Sequence, residues 1–146
     1  MSSFGSVLSS FGEKLGIQGL AFDQDGCCRL VFDGQKMFEL RTSSAQGRML
    51  LSSRVGRSGS PWPDATGRLL LQANLWGAGA GGGWFSQDDQ GQIYLQHEVS
   101  LSEDSASQML AKVEGMLSSL EVWERRLSEQ TSDQASQLQR HVMQRV

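Results

Sequence analysis

Cysteine is nearly absent from this chain of 146 residues: there are two, Cys27 and Cys28. They are adjacent, and a bond between them would need a strained peptide, so a disulfide framework is excluded. Two histidines, His97 and His141, match no zinc spacing with that pair, and the sequence predicts no metal and no cofactor. Proline is confined to Pro61 and Pro63 on either side of Trp62, which marks a loop. No apolar run approaches the ~18 residues of a membrane-spanning helix, so no membrane insertion is expected. The opening Met1-Ser2-Ser3-Phe4-Gly5-Ser6-Val7-Leu8 lacks the basic and apolar regions of a secretory signal, and the expectation is a cytoplasmic protein. Positive charge is not in excess either: 13 Lys and Arg stand against 16 Asp and Glu, a net charge of −3. Nucleic-acid binding is therefore disfavoured, even though Arg48, Arg54, Arg57 and Arg68 cluster in sequence.

What is present suffices for one folded domain with a core of its own. Phe4, Val7, Leu8, Phe11 and Leu15 lie on one helical face that Gly16 ends. Strand-like runs follow at residues 20–23, 28–33, 36–41 and 49–55, with Asp25-Gly26 and Asp33-Gly34 as turn signals, so residues 19–55 read as an antiparallel meander. Residues 68–76 form a short helix, capped by Asp64 or Thr66, that is apolar on nearly every side. A helix without a wet face is covered twice. In a domain this small the second cover is another copy of the chain, which predicts a homodimer. Two further strands, 84–87 and 92–99, flank Asp88-Asp89-Gln90-Gly91. A long helix then begins at Ser100 or Ser102, with Glu103 and Asp104 suiting its first turn. Met109, Val113, Met116, Leu120, Trp123 and Leu127 recur at alternating four and three, the clearest periodic signal in the chain. The expected fold is α+β, a twisted antiparallel sheet of five to six strands with three helices in the order α-β-β-β-(β)-α-β-β-α. Residues 1–130 form a single domain and residues 131–146 a polar Gln/Ser-rich tail, frayed or disordered.

No catalytic constellation can be assembled. Residues 77–82 match G-x-G-x-x-G, but a helix precedes them and a strand follows, the reverse of a dinucleotide site, so they read as a tight connection. Asp25 and Asp33 are turn residues, and His97, late in a strand, reads as a structural histidine rather than a base. What stands out is an apolar surplus: Leu20, Phe22, Leu30 and Phe32 alternate with Ala21 and Val31, and Met37 adjoins Phe38, so both strand faces carry large residues. The bland account covers both faces internally; the sharper one leaves a groove for a partner segment.

These residues resemble the Tir chaperone (CesT) family of type III secretion chaperones. The resemblance covers residues 4–127: the helix ending Phe11-Gly12-Glu13-Lys14-Leu15-Gly16-Ile17, residues 22–33, and Ala73-Asn74-Leu75-Trp76 before a glycine run, the most specific match. A strand hairpin and a Trp-containing last helix complete the order. The glycine-rich loop of residues 77–83 and the Gln-rich tail depart from the commoner pattern. The resemblance implies a cytosolic homodimer with no enzymatic activity that holds the N-terminal segment of a secreted effector in extended form, and adds the secretion ATPase as a further candidate partner. A regulatory adaptor of the same fold, binding a transcription factor or an apparatus component, is the alternative. Carried onto this chain, it implies an effector groove of Leu15, Ile17, Leu20, Phe22, Val31, Phe32, Met37 and Phe38. Dimer contacts would come from Leu71, Leu75, Trp76, Trp84 and Phe85.

Overall fold

A computed structural model of the chain describes residues 4–43, 47–56, 62–100 and 105–143, by backbone alone from residue 130. Helix α1 (Phe4–Leu15) leads into strands β1 (Cys27–Phe32), β2 (Lys36–Ser43) and β3 (Arg48–Arg54). Helix α2 (Asp64–Asn74), strands β4 (Trp84–Gln87) and β5 (Ile93–Ser100), and helix α3 (Ser105–Met143) follow. The strands make one sheet in the order β1-β2-β3-β5-β4, with antiparallel neighbours throughout. The class is α+β, with the helices and strands in the expected order.

Register sorts the side chains between two faces. Leu30, Phe38, Ser53, Leu95 and Phe85 stand opposite one another across the five strands and are all buried. Val7, Leu8 and Phe11 of α1 and the predicted stripe of α3, Met109 through Leu127, complete this core. The next row, on the opposite face, is Arg29, Glu39, Ser52, Gln96 and Trp84, which is exposed or half-buried. That row is polar because the helices gather on the other side.

Three expectations are corrected. Residues 20–23 are not a strand: Leu20 and Phe22 pack against the core by side chain, and the run has no ladder. Helix α2 starts at Asp64 behind Pro63, whose fixed φ suits a helix entrance, and neither Asp64 nor Thr66 caps it. Its apolar sides are covered unequally within one chain, Leu70 being buried while Leu71 is 73% exposed. Ser100 ends β5 instead of opening α3, and Ser102, Glu103, Asp104 and Arg57 lie outside the described residues, as do the side chains of the tail.

Entering the glycine run, Leu75–Ala80 makes tight 3₁₀-like turns broken by a kink at Trp76 and Gly77, whose φ values of 62° and 72° are left-handed, and a further turn leads into β4. His97 Nε2 lies 3.2 Å from the Ala80 carbonyl, and Trp123 Nε1 donates to the Gly79 carbonyl at 2.8 Å. Gly83 is buried beside these groups, and a Cβ there would overlap the Gln96 carbonyl and the His97 ring. The run is a close-packed connection, and His97 is a buried, hydrogen-bonded structural histidine.

Candidate functional site

The end of α1 sets up the region. Gly16, at φ 77°, donates to the Glu13 carbonyl and Ile17 to that of Gly12, a left-handed helix stop. Gly12 itself is buried, and an added Cβ would lie 2.9 Å from the Ile17 carbonyl and 3.0 Å from Leu20 Cβ. The chain can therefore fold back beneath α1, which brings Leu20 and Phe22 against the core at the β1 side of the sheet.

Asp23 then touches the edge. Its N–H donates to the Cys27 carbonyl at 2.8 Å, and its Oδ1 accepts the N–H groups of Asp25 and Cys27. Both main-chain groups of Cys27 thus point away from β2. Gly26 points the other way, its carbonyl accepting from Thr42 on β2. Because direction alternates with a period of two, the N–H and C=O groups of Arg29 and Val31 also point outward. β1 ends the sheet, and nothing among the described residues pairs with those groups.

The opposite edge is closed at Phe85 and at the Gly83 N–H. Asn74 Nδ2 donates to the Phe85 carbonyl at 3.0 Å while its Oδ1 accepts the Phe85 N–H at 2.7 Å, so one amide side chain satisfies both outward groups. Gly83 N–H, next in the outward series, donates to the Ala80 carbonyl. β4 has no room for another strand at these positions. β1 has.

The predicted groove residues divide about this open edge. Leu15, Leu20, Phe22 and Phe32 are half-buried on the helix side, packed against the core. Ile17 is exposed just beyond α1. Val31 and Met37, paired across β1 and β2, are exposed on the opposite face at 61% and 46%. Phe38 is fully buried, its ring edge-on to Phe32 with centroids 5.2 Å apart, because its register position faces the helices; it supports the region from inside. The second predicted set divides as well. Leu71, Leu75 and Trp76 form an exposed apolar patch, Trp76 at 91%. Trp84 is half-buried with Nε1 bonded to Gln96, whereas Phe85 is a core residue stacked edge-on against Trp123.

Charge near the edge is arranged around Glu39. Burial pushes its carboxyl up, but hydrogen bonds from Arg41 and Arg29 outweigh this and hold it below the usual carboxylate range. The Cys28 thiol is pushed up by burial and by the nearby Asp23 charge, so it is a poor nucleophile. Among the described residues no cluster of His, Cys, Asp and Glu could hold a metal ion, and no helix is long and apolar enough to cross a membrane.

Sequence reading missed what Asp23 and Asn74 do. Asp23 was visible as the head of a turn, since an Asx side chain reaches the backbone two residues on. Asn74 gave no local signal, because its partner Phe85 lies on a later strand.

A family model, the Tir chaperone protein (CesT) family, matches residues 6–124. Among solved structures, one similar chain is in the HopA1-SchA chaperone-effector complex, with TM-score 0.70, 22% identity, and coverage of 82% of this chain and 91% of that one. Another is in the ExsC-ExsE complex, with TM-score 0.74, 22% identity, and coverage of 84% and 92%. A third is in the complex of the Yersinia pestis type III secretion chaperone SycH with a fragment of YscM2, with TM-score 0.64, 18% identity, and coverage of 86% and 99%. No curated protein matches the sequence.

Proposed function

This chain belongs to the Tir chaperone protein (CesT) family, and on that premise we propose that it is a cytoplasmic, non-enzymatic type III secretion chaperone whose β1 edge receives an effector segment. The observation that carries the reading is the contrast between the two edges. Asn74 closes β4, while the outward groups of Arg29 and Val31 leave β1 free to accept a strand. An extended segment laid there gains main-chain hydrogen bonds of any sequence, and its side chains alternate between the two faces of the sheet. On the helix side they meet Phe22 and Phe32; on the open side they meet Val31. Backbone pairing supplies affinity and the apolar contacts supply register. Holding the effector's N-terminal region this way keeps its apolar residues out of its own core.

Residues 1–130 act as the single binding domain in this reading. The exposed Leu71, Leu75 and Trp76 are the homodimer contact in this reading, since a surface this apolar calls for cover.

The test is mild tagged purification from the native host, with co-eluting proteins identified by mass spectrometry and the complex weighed by light scattering. The expected result is two copies of this chain on one partner, held through the partner's N-terminal region. Phe22→Asp should abolish that association while the dimer stays folded. A transcription factor in place of a secreted partner would make the chain a regulatory adaptor. A clean monomer with nothing attached would overturn the reading.

A further inference from the structure

Resting on strand addition at β1, we infer that the incoming segment carries a carboxylate on the open side of the sheet where it passes Arg29. The cross-strand row on that face begins at the edge with Arg29 and continues through Glu39, Ser52 and Gln96. Glu39 is shared: Arg29 Nε lies 3.3 Å from one carboxylate oxygen and Arg41 Nε bonds the other. Both arginine side chains stay more than half exposed, at 62% and 61%. A guanidinium has five N–H donors, and these bonds use one from each.

A third arginine adds to the surplus. Arg54 Nε is buried and has no hydrogen-bond partner among the described residues. Arg29, Arg41 and Arg54, with Met37, Glu39, Ser52 and Tyr94, line a depression of about 390 Å³. The acidic group on its far side, Asp88, is engaged by its own hairpin. It accepts the N–H groups of Gln90 and Gln92 and the Tyr94 hydroxyl, while the Arg54 charge helps hold its carboxyl low. Three arginines and one carboxylate, Glu39, line the depression, with Asp88 acting on Arg54 and Asp23 on Arg41 from outside it. Of the three, Arg29 stands on the open strand itself, Arg41 one strand further in and Arg54 two. An alternating segment, apolar towards Phe22 and Phe32 and acidic towards Arg29, complements both faces at once.

The probes are three fluorescein-labelled octapeptides that alternate Val with Glu, with Gln or with Lys, titrated by anisotropy against the full chain at low salt. The Glu peptide should bind about fivefold more tightly than the Gln peptide, with the Lys peptide weakest. Added salt should shrink the gap. Arg29→Gln, at an exposed position, should remove the Glu preference, so that the Glu and Gln peptides bind the variant alike. Equal binding of the Glu and Gln peptides, or a preference that survives Arg29→Gln, overturns the acidic specificity while strand addition stands. Binding by none of the peptides overturns strand addition and the specificity with it.

Discussion

Replacing Asn74 with Ala would strip both hydrogen bonds from the Phe85 backbone at a half-buried edge. Each group left without a partner forfeits its desolvation cost, so Asn74→Ala should lose about 1–3 kcal/mol in urea unfolding. Asn74→Asp keeps the acceptor for the Phe85 N–H and loses the donor, so it should fall between Ala and the parent. His97 makes a second prediction at this scale. Burial pushes its pKa below the ordinary 6.5, the Ala80 carbonyl opposing the shift and Lys112 adding to it. Between the folded and unfolded values the unfolded ring binds a proton that the folded ring refuses. The contribution of neutral His97 is therefore complete above about pH 6.5 and declines as pH falls towards the folded value. His97→Gln should flatten the fall in urea midpoint between about pH 7.5 and about pH 5.5.

Among the elements, the glycine run before β4 and helix α3 give a matched pair of tests. Gly83→Ala forces a Cβ into the Gln96 carbonyl and the His97 ring, neither of which is a flexible side-chain end. Overpacking of that kind costs about 3 kcal/mol or more. Gly115→Ala, in the middle of α3 with open space around it, should stabilise by about 0.5–1 kcal/mol because alanine suits a helix interior better. Both are read from denaturant midpoints. The core stripe of α3 was fully legible, since a period of 3.6 over many turns has one physical explanation, and Met109 through Leu127 are indeed buried. Residues 20–23 were not. Leu20 and Phe22 alternate as a strand does, and the pattern is the same whether the backbone is paired or the side chains alone are tucked beneath α1. The start of α2 was hidden for a related reason: Pro63 supplies the entrance, and the polar residues after it only look like caps. The apolar residues near β1 were legible one by one. Their division between two faces was not, because Val31 and Phe32 differ in outlook only through strand register.

For the molecule as a whole, the patch on α2 and the turn after it matters most. Trp76 sits at φ 62°, a left-handed conformation that costs a bulky residue about 1–2 kcal/mol, and it is nonetheless 91% exposed. Trp76→Gly relieves that strain and also removes the ring. At low concentration the variant's subunit should be more stable by about 1 kcal/mol, while light scattering shows a weaker dimer. Parent and variant of equal mass at every concentration would count against the dimer contact.

The placement of α3 also bears on how the protein comes into being. The inner face of the sheet, Leu30, Phe38, Leu40, Leu51 and Leu95, is made before the helix that covers it, whose contacts run from Met109 to Leu127. While the ribosome is synthesising β1 to β3, α1 is the helix already made, and α2 joins it only before β4 and β5. The inner face therefore gains its full α3 cover only once translation has passed Leu127. A protein that keeps another chain's apolar residues from premature contact is, during its own synthesis, exposed to the same hazard.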